Sequence, residues 1–200
     1  MNLPTKITIV RIILIPFFVA AYMIDFPFHN LVATGIFIVA SLTDWLDGYI
    51  ARKYNMVTTI GKFLDPIADK VLVSSALILV STIENVFQIY IIIATIIIIA
   101  RELVVTCFRT IAASKNVVLA ADKIGKAKTA TQLVGLSFYL AYPAFELISA
   151  LASEIILIIG FSFLMIATLL TIVSACNYII RNAGVFKDEK IEEAAVKKSE

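Results

Sequence analysis

The 200 residues are poor in the side chains that most often build redox or metal centres, with two cysteines, one histidine and one tryptophan. Cys107 and Cys176 lie in apolar stretches without a C-x-x-C partner, which excludes a disulfide framework and a zinc knuckle and leaves packing as their expected role. A single histidine, His29, rules out a multi-histidine metal site, and its neighbours mark a polar connection. Charge is scarce as well, at 16% of residues, and the net charge of +2 is too small to imply a nucleic-acid partner. Seven glycines and five prolines form no Gly/Ser-rich linker, and no internal repeat or low-complexity run divides the chain.

What fills the space is apolar. Hydrophobic residues make up 60% of the sequence and the mean hydropathy is +0.96, far from a soluble average. The run 89–100 is almost unbroken isoleucine and alanine. Residues 7–24 lack a small-residue cleavage site and are expected to form a retained first span, not a signal peptide. A hydrocarbon core about 30 Å thick needs about 20 apolar helical residues. Six windows qualify, at 5–24, 31–52, 64–83, 86–108, 126–147 and 151–180. The expected fold is all-α and polytopic, a six-helix membrane domain over 1–185 with a charged tail at 186–200 that lacks apolar periodicity.

Orientation follows from lysine and arginine, which mark cytoplasmic ends. The connections near 25–30, 82–85 and 146–154 hold neither, and carry Asp25, Glu84, Glu146 and Glu154. The alternate ends carry Lys6 and Arg11, then Arg52, Lys53, Lys62 and Lys70, then Arg109, Lys126 and Lys128, and finally Arg181. Both termini are therefore expected in the cytoplasm, in a multi-pass protein of the cell's inner or plasma membrane. Cations gathered on one face favour anionic headgroups or phosphorylated ligands.

Four acids also gather there. Asp44 and Asp47 end the second span, and Asp65 and Asp69 open the third. Spacings of three and four place each pair on one helix face, a turn apart. Carboxylates crowded at a membrane boundary repel one another unless cations sit between them, and oxygen-only donors favour Mg2+ or Mn2+. Gly48, Ala51 and Gly61 remove side chains where helices or a ligand come close. Arg52 offers a planar donor fork suited to phosphate, although an arginine at a helix's inner end also serves as a topology residue. Any one of these acids alone would read as a solvated interfacial group, whereas four of them with these small residues would not.

Together these positions spell D-x-x-D-G-x-x-A-R, eight residues, then G-x-x-x-D-x-x-x-D. This pattern resembles the signature of the CDP-alcohol phosphatidyltransferases at every position. The resemblance implies that Asp44, Asp47, Asp65 and Asp69 hold two divalent cations and that Asp69 is also the general base. It further implies that Gly48, Ala51, Arg52 and Gly61 shape the pocket for the cytidine diphosphate of CDP-diacylglycerol. A homodimer embedded in membrane lipid is a further family expectation.

The signature leaves the acceptor open. Arg101, Arg109, Lys126 and Lys128 belong to the same inner face, and Arg101 and Arg109 lie eight residues apart, about 80° around a helix, so both can look into one cavity while Glu102 orients a neighbour. Positive-inside anchoring accounts equally for Lys126 and Lys128, but Gly125 beside them permits close backbone approach. The stretches 100–109 and 125–132, with the opening Asn2 to Thr5 and Arg11, resemble the branch of the family whose acceptor is glycerol 3-phosphate. There the resemblance implies that Arg109, Lys126, Lys128 and Arg101 clamp the acceptor phosphate and that Asn2 and Thr5 adjoin the CDP-lipid. Alternatives are inositol phosphate, serine or phosphatidylglycerol as acceptor. From another class, a cation transporter or channel is disfavoured because the acids cluster at one face and not across the midplane.

Overall fold

A computed structural model describes residues 3–53, 59–114 and 123–182. It is built of helices α1 Leu3–Met23, α2 His29–Lys53, α3 Thr59–Ser81, α4 Gln88–Ser114, α5 Lys123–Glu146 and α6 Ala150–Asn182. No strand occurs among the described residues. The tail at 186–200 lies outside them.

Each expected span coincides with one helix, but the boundaries differ in instructive ways. α4 runs past 108 to Ser114, because the expected window closes at Arg109 whereas helical hydrogen bonding continues through that charge. In this last stretch Thr110 donates its hydroxyl back to the Thr106 carbonyl at 3.0 Å. α2 begins at His29, which therefore opens a helix instead of lying in a connection, and its Nδ1 lies 3.1 Å from the Phe26 carbonyl. The turn before it places Pro27 ahead of Phe28 at φ 62°, a left-handed conformation costly for a residue with a Cβ. By length and apolarity, α1, α4 and α6 are able to cross a membrane, over Thr5–Met23, Gln88–Ala113 and Ala150–Ile180. α2, α3 and α5 carry Asp44, Asp65, Asp69 and Lys128.

Short turns join α1 to α2, α3 to α4 and α5 to α6, so each of these pairs is antiparallel. α5 and α6 form the closest pair. Gly135 and Gly160 explain the approach: a Cβ on Gly135 would stand 2.9 Å from the Leu164 backbone nitrogen, and one on Gly160 would stand 2.8 Å from that of Tyr139. Gly125, by contrast, has room for a Cβ, with Ser174 Oγ at 3.9 Å as its near neighbour, so helix packing does not require glycine there.

The core runs through the bundle with Phe18, Phe37, Leu72, Leu136, Tyr139 and Leu164 all buried. At the end opposite the acids, Asn85 ties the α3–α4 turn to α5. Its amide donates to the hydroxyls of Tyr139 at 2.8 Å and Tyr142 at 3.0 Å, and its Oδ1 accepts from the Phe87 amide at 2.9 Å. Phe87 in turn stacks on Phe161 of α6, centroids 4.1 Å apart. Many large apolar side chains face outward, among them Phe17, Ile96 and Leu169. Exposed apolar surface on this scale belongs against lipid.

Candidate active site

All six helices bring polar groups to one end of the bundle. α1 contributes Thr8 and Arg11, which lie one turn apart on one face and are both 0% exposed. An arginine inside an apolar span needs a partner. Arg11 Nη1 donates to Asp44 Oδ1 of α2 at 2.7 Å, and Thr8 donates to Asp65 Oδ1 of α3 at 2.5 Å. α1 is therefore more than a membrane anchor, since it fixes one carboxylate from each half of the acidic motif. Thr5, a further turn back, is buried in the same helix.

Asp69, one turn beyond Asp65, is half-buried and lies within electrostatic reach of Asp44, Arg11, Glu102 and Lys128. Asp44 in turn feels Asp65. The three described carboxylates thus form one electrostatic neighbourhood. Among the described residues, no three acids, histidines or cysteines stand together as a ready-made metal cage. Asp47, Gly48, Ala51 and Arg52 fall within α2 and Gly61 within α3, but their side chains lie outside the described residues, as does the whole of Asn2.

The basic side is built around Glu102. Lys128 of α5, 3% exposed, donates to Glu102 Oε1 at 2.5 Å. Arg101 reaches the same oxygen at 3.0 Å through Nη1, while its Nη2 donates to Ser174 Oγ of α6 at 2.7 Å. One carboxylate oxygen thereby joins α4 to α5, and through Arg101 to α6, meeting the expectation that Glu102 orients a neighbour. Lys70 of α3 donates to the Thr106 hydroxyl of α4.

Two adjoining cavities flank this network. The larger, about 430 Å³, is lined by Lys70, Arg101, Glu102, Thr106 and Arg109, so both arginines do look into one space. The smaller, about 30 Å³, is bordered by Asp69, Lys70, Glu102, Lys128 and Gln132. Lys70 and Glu102 line both. Lys126 is exposed and lines neither. The sequence reading did not single out Thr8, Ser174 or Gln132. A signal existed for Arg11, whose charge interrupts an apolar run, but the identity of its partner across helices left no trace in spacing.

Such an arrangement sets crowded carboxylates beside a cation-lined cavity, which suits reactions that shift charge between phosphates. The sequence profile of the CDP-alcohol phosphatidyltransferases matches residues 1–173. The CDP-diacylglycerol–glycerol-3-phosphate 3-phosphatidyltransferase of Bacillus subtilis (strain 168) is 40% identical over 199 residues, covering 93% of this chain and 97% of the relative. The protein of the same name from Salmonella typhimurium (strain LT2) is 36% identical over 190 residues, covering 94% and 98%. Its counterpart in Escherichia coli (strain K12) is 41% identical over 144 residues, covering 71% and 78%. Taken with the unbroken acidic signature and the site built around it, these matches make the chain a member of the CDP-alcohol phosphatidyltransferase family.

Proposed function

We propose that this protein transfers the phosphatidyl group of CDP-diacylglycerol to the 1-hydroxyl of sn-glycerol 3-phosphate, yielding phosphatidylglycerophosphate and CMP in phospholipid biosynthesis. The observation that carries this reading is the adjacency of two unlike regions. Asp69 of α3, in electrostatic reach of Asp44 of α2, borders a small cavity that shares Lys70 and Glu102 with the one lined by Arg101 and Arg109, and a small acceptor bearing both a hydroxyl and a phosphate would bridge them. The names of the B. subtilis and E. coli relatives agree with that pair of substrates.

In this reading Asp69 takes the proton of the attacking hydroxyl. The hydroxyl oxygen bonds to the lipid-side phosphorus, the bond from that phosphorus to the bridging oxygen breaks, and CMP departs with the electron pair. Asp44, Asp47, Asp65 and Asp69 would hold two divalent cations, Mg2+ or Mn2+. The donor set fits: the groups are oxygen-only, and Asp65 and Asp69 each lie within electrostatic reach of Asp44. When bound, such cations neutralise charge on the transferred and departing phosphates. Gly48, Ala51, Arg52, Gly61, Thr5 and Asn2 would receive the CDP-lipid. Arg109 and Arg101 would meet the acceptor phosphate within the larger cavity, Lys128 by reaching toward it past Glu102, and Lys126 from the exposed rim.

All six helices are proposed to span the membrane as one domain over 1–185 with a charged tail at 186–200. Both termini and the active site would face the cytoplasm, and the enzyme would work as a homodimer. The deciding experiment is an acceptor panel with purified protein, CDP-diacylglycerol and Mg2+ or Mn2+. CMP release should require glycerol 3-phosphate, and faster release with serine, inositol phosphate or phosphatidylglycerol would overturn the acceptor assignment.

A further inference from the structure

The small cavity beside Asp69 contains a group with no task in the scheme above. Gln132 of α5 is 1% exposed, lies one turn after Lys128 on the same face, and its amide nitrogen has no hydrogen-bond partner. A buried donor left unsatisfied is costly, so in a native protein it calls for an explanation. The cations lining the same cavity are engaged: Lys128 donates to Glu102 and Lys70 to Thr106. Gln132 therefore brings an uncommitted neutral donor to this space.

Size narrows what it meets. A water needs about 10–15 Å³ of such space. At about 30 Å³, the cavity admits a water or two, or one hydroxyl-bearing carbon, and excludes a phosphate. The phosphate has its own room across Lys70 and Glu102, in the cavity of about 430 Å³. An acceptor with its phosphate there and its reacting hydroxyl at Asp69 must carry its middle carbon into the small cavity, which Gln132 lines together with Asp69.

We infer that Gln132 is a specificity-determining residue that donates its amide hydrogen to the C2 hydroxyl of the acceptor. This rests on glycerol 3-phosphate being the acceptor, and it adds a requirement which that reading does not contain: a hydroxyl on the carbon that does not react. A site that reserves a buried partner for a hydroxyl rejects the analogue lacking it, because the partner is then left unpaired.

The probe is 1,3-propanediol monophosphate, which keeps the phosphate and a primary hydroxyl and lacks only the C2 hydroxyl. The full-length enzyme in detergent with CDP-diacylglycerol should use it about 10- to 100-fold less well in kcat/KM than glycerol 3-phosphate. Gln132→Met should bring the two values together, mainly by loss of the glycerol 3-phosphate reaction. Taking the ratio on one preparation cancels any loss of folded protein. If Gln132→Met yields no active enzyme, Gln132→Asn, which withdraws the amide by one methylene, should narrow the same ratio. An unchanged ratio in the active variant would give Gln132 a purely structural role and overturn the inference, as would a wild-type enzyme indifferent to the C2 hydroxyl. A wild-type enzyme that uses neither compound would instead overturn the acceptor reading on which the inference stands.

Discussion

Arg11, wholly buried in α1, donates to Asp44 at 2.7 Å across 33 positions of sequence, and so couples the first helix to the acidic motif. Removing one partner of a buried ion pair leaves the other charge uncompensated. Asp44 is 41% exposed, which moderates the loss. Arg11→Met should therefore destabilise the protein by about 1–3 kcal/mol, read as a lower Tm in detergent. Adding Asp44→Asn should restore part of that Tm without restoring CMP release. Additive losses in the double variant would show that the two side chains do not couple.

Asp69 is the proposed base, and Asp69→Asn keeps its shape while removing proton acceptance. CMP release should fall by about 10²- to 10⁴-fold. Binding of CDP-diacylglycerol, followed by ligand-induced thermal stabilisation, should persist. A variant retaining more than a tenth of wild-type turnover would assign the proton to another group.

Arg109 and Lys126 were grouped in sequence but differ in place, since Arg109 lines the larger cavity and Lys126 stands exposed outside both cavities. A charge-assisted hydrogen bond contributes about 1.5–3 kcal/mol. Arg109→Ala should accordingly raise the KM for glycerol 3-phosphate by about 10- to 100-fold and change that for the CDP-lipid far less. Lys126→Ala should have the smaller effect, and equal effects of the two substitutions would put the phosphate elsewhere.

Gly160 admits no Cβ, because one would stand 2.8 Å from the Tyr139 backbone nitrogen. Gly160→Ala must push α5 from α6 and should cost about 1–3 kcal/mol. Gly125→Ala, whose Cβ would meet Ser174 Oγ at 3.9 Å in ordinary van der Waals contact, should leave the melting temperature nearly unchanged. Thermal unfolding of the two variants side by side tests the contrast.

Chelation should abolish turnover, and Mg2+ or Mn2+ should restore it. Because Asp65 already accepts from Thr8 at 2.5 Å, Asp65→Asn keeps a partner there while losing a negative charge. That variant should need a higher cation concentration for half-maximal rate. An unchanged requirement would exclude Asp65 from the cation site.

The helices were legible because an apolar window and a helix facing an apolar medium answer to the same solvent requirement, so each apolar window found its helix. Their ends were less so. α4 passes through Arg109 to Ser114, since backbone hydrogen bonding does not stop where apolarity does. Within the site, the acids and basic residues were visible as residue types at helical spacings. Their partners were not: Thr8 meets Asp65 over 57 positions and Arg101 meets Ser174 over 73, distances at which no periodicity survives. Gly135 and Gly160 escaped notice for the same reason, because a tight helix crossing depends on which two faces meet.

Phe17, Ile96 and Leu169, turned outward from the bundle, also determine how this enzyme's kinetics must be counted. A donor dissolved in the same two-dimensional medium reaches the site by lateral diffusion, whereas a phosphorylated acceptor arrives from bulk water. The donor's half-saturation is then a mole fraction of the surrounding amphiphile and the acceptor's a molarity. Diluting the lipid with inert detergent should slow the reaction at fixed total donor, while acceptor saturation keeps its ordinary form.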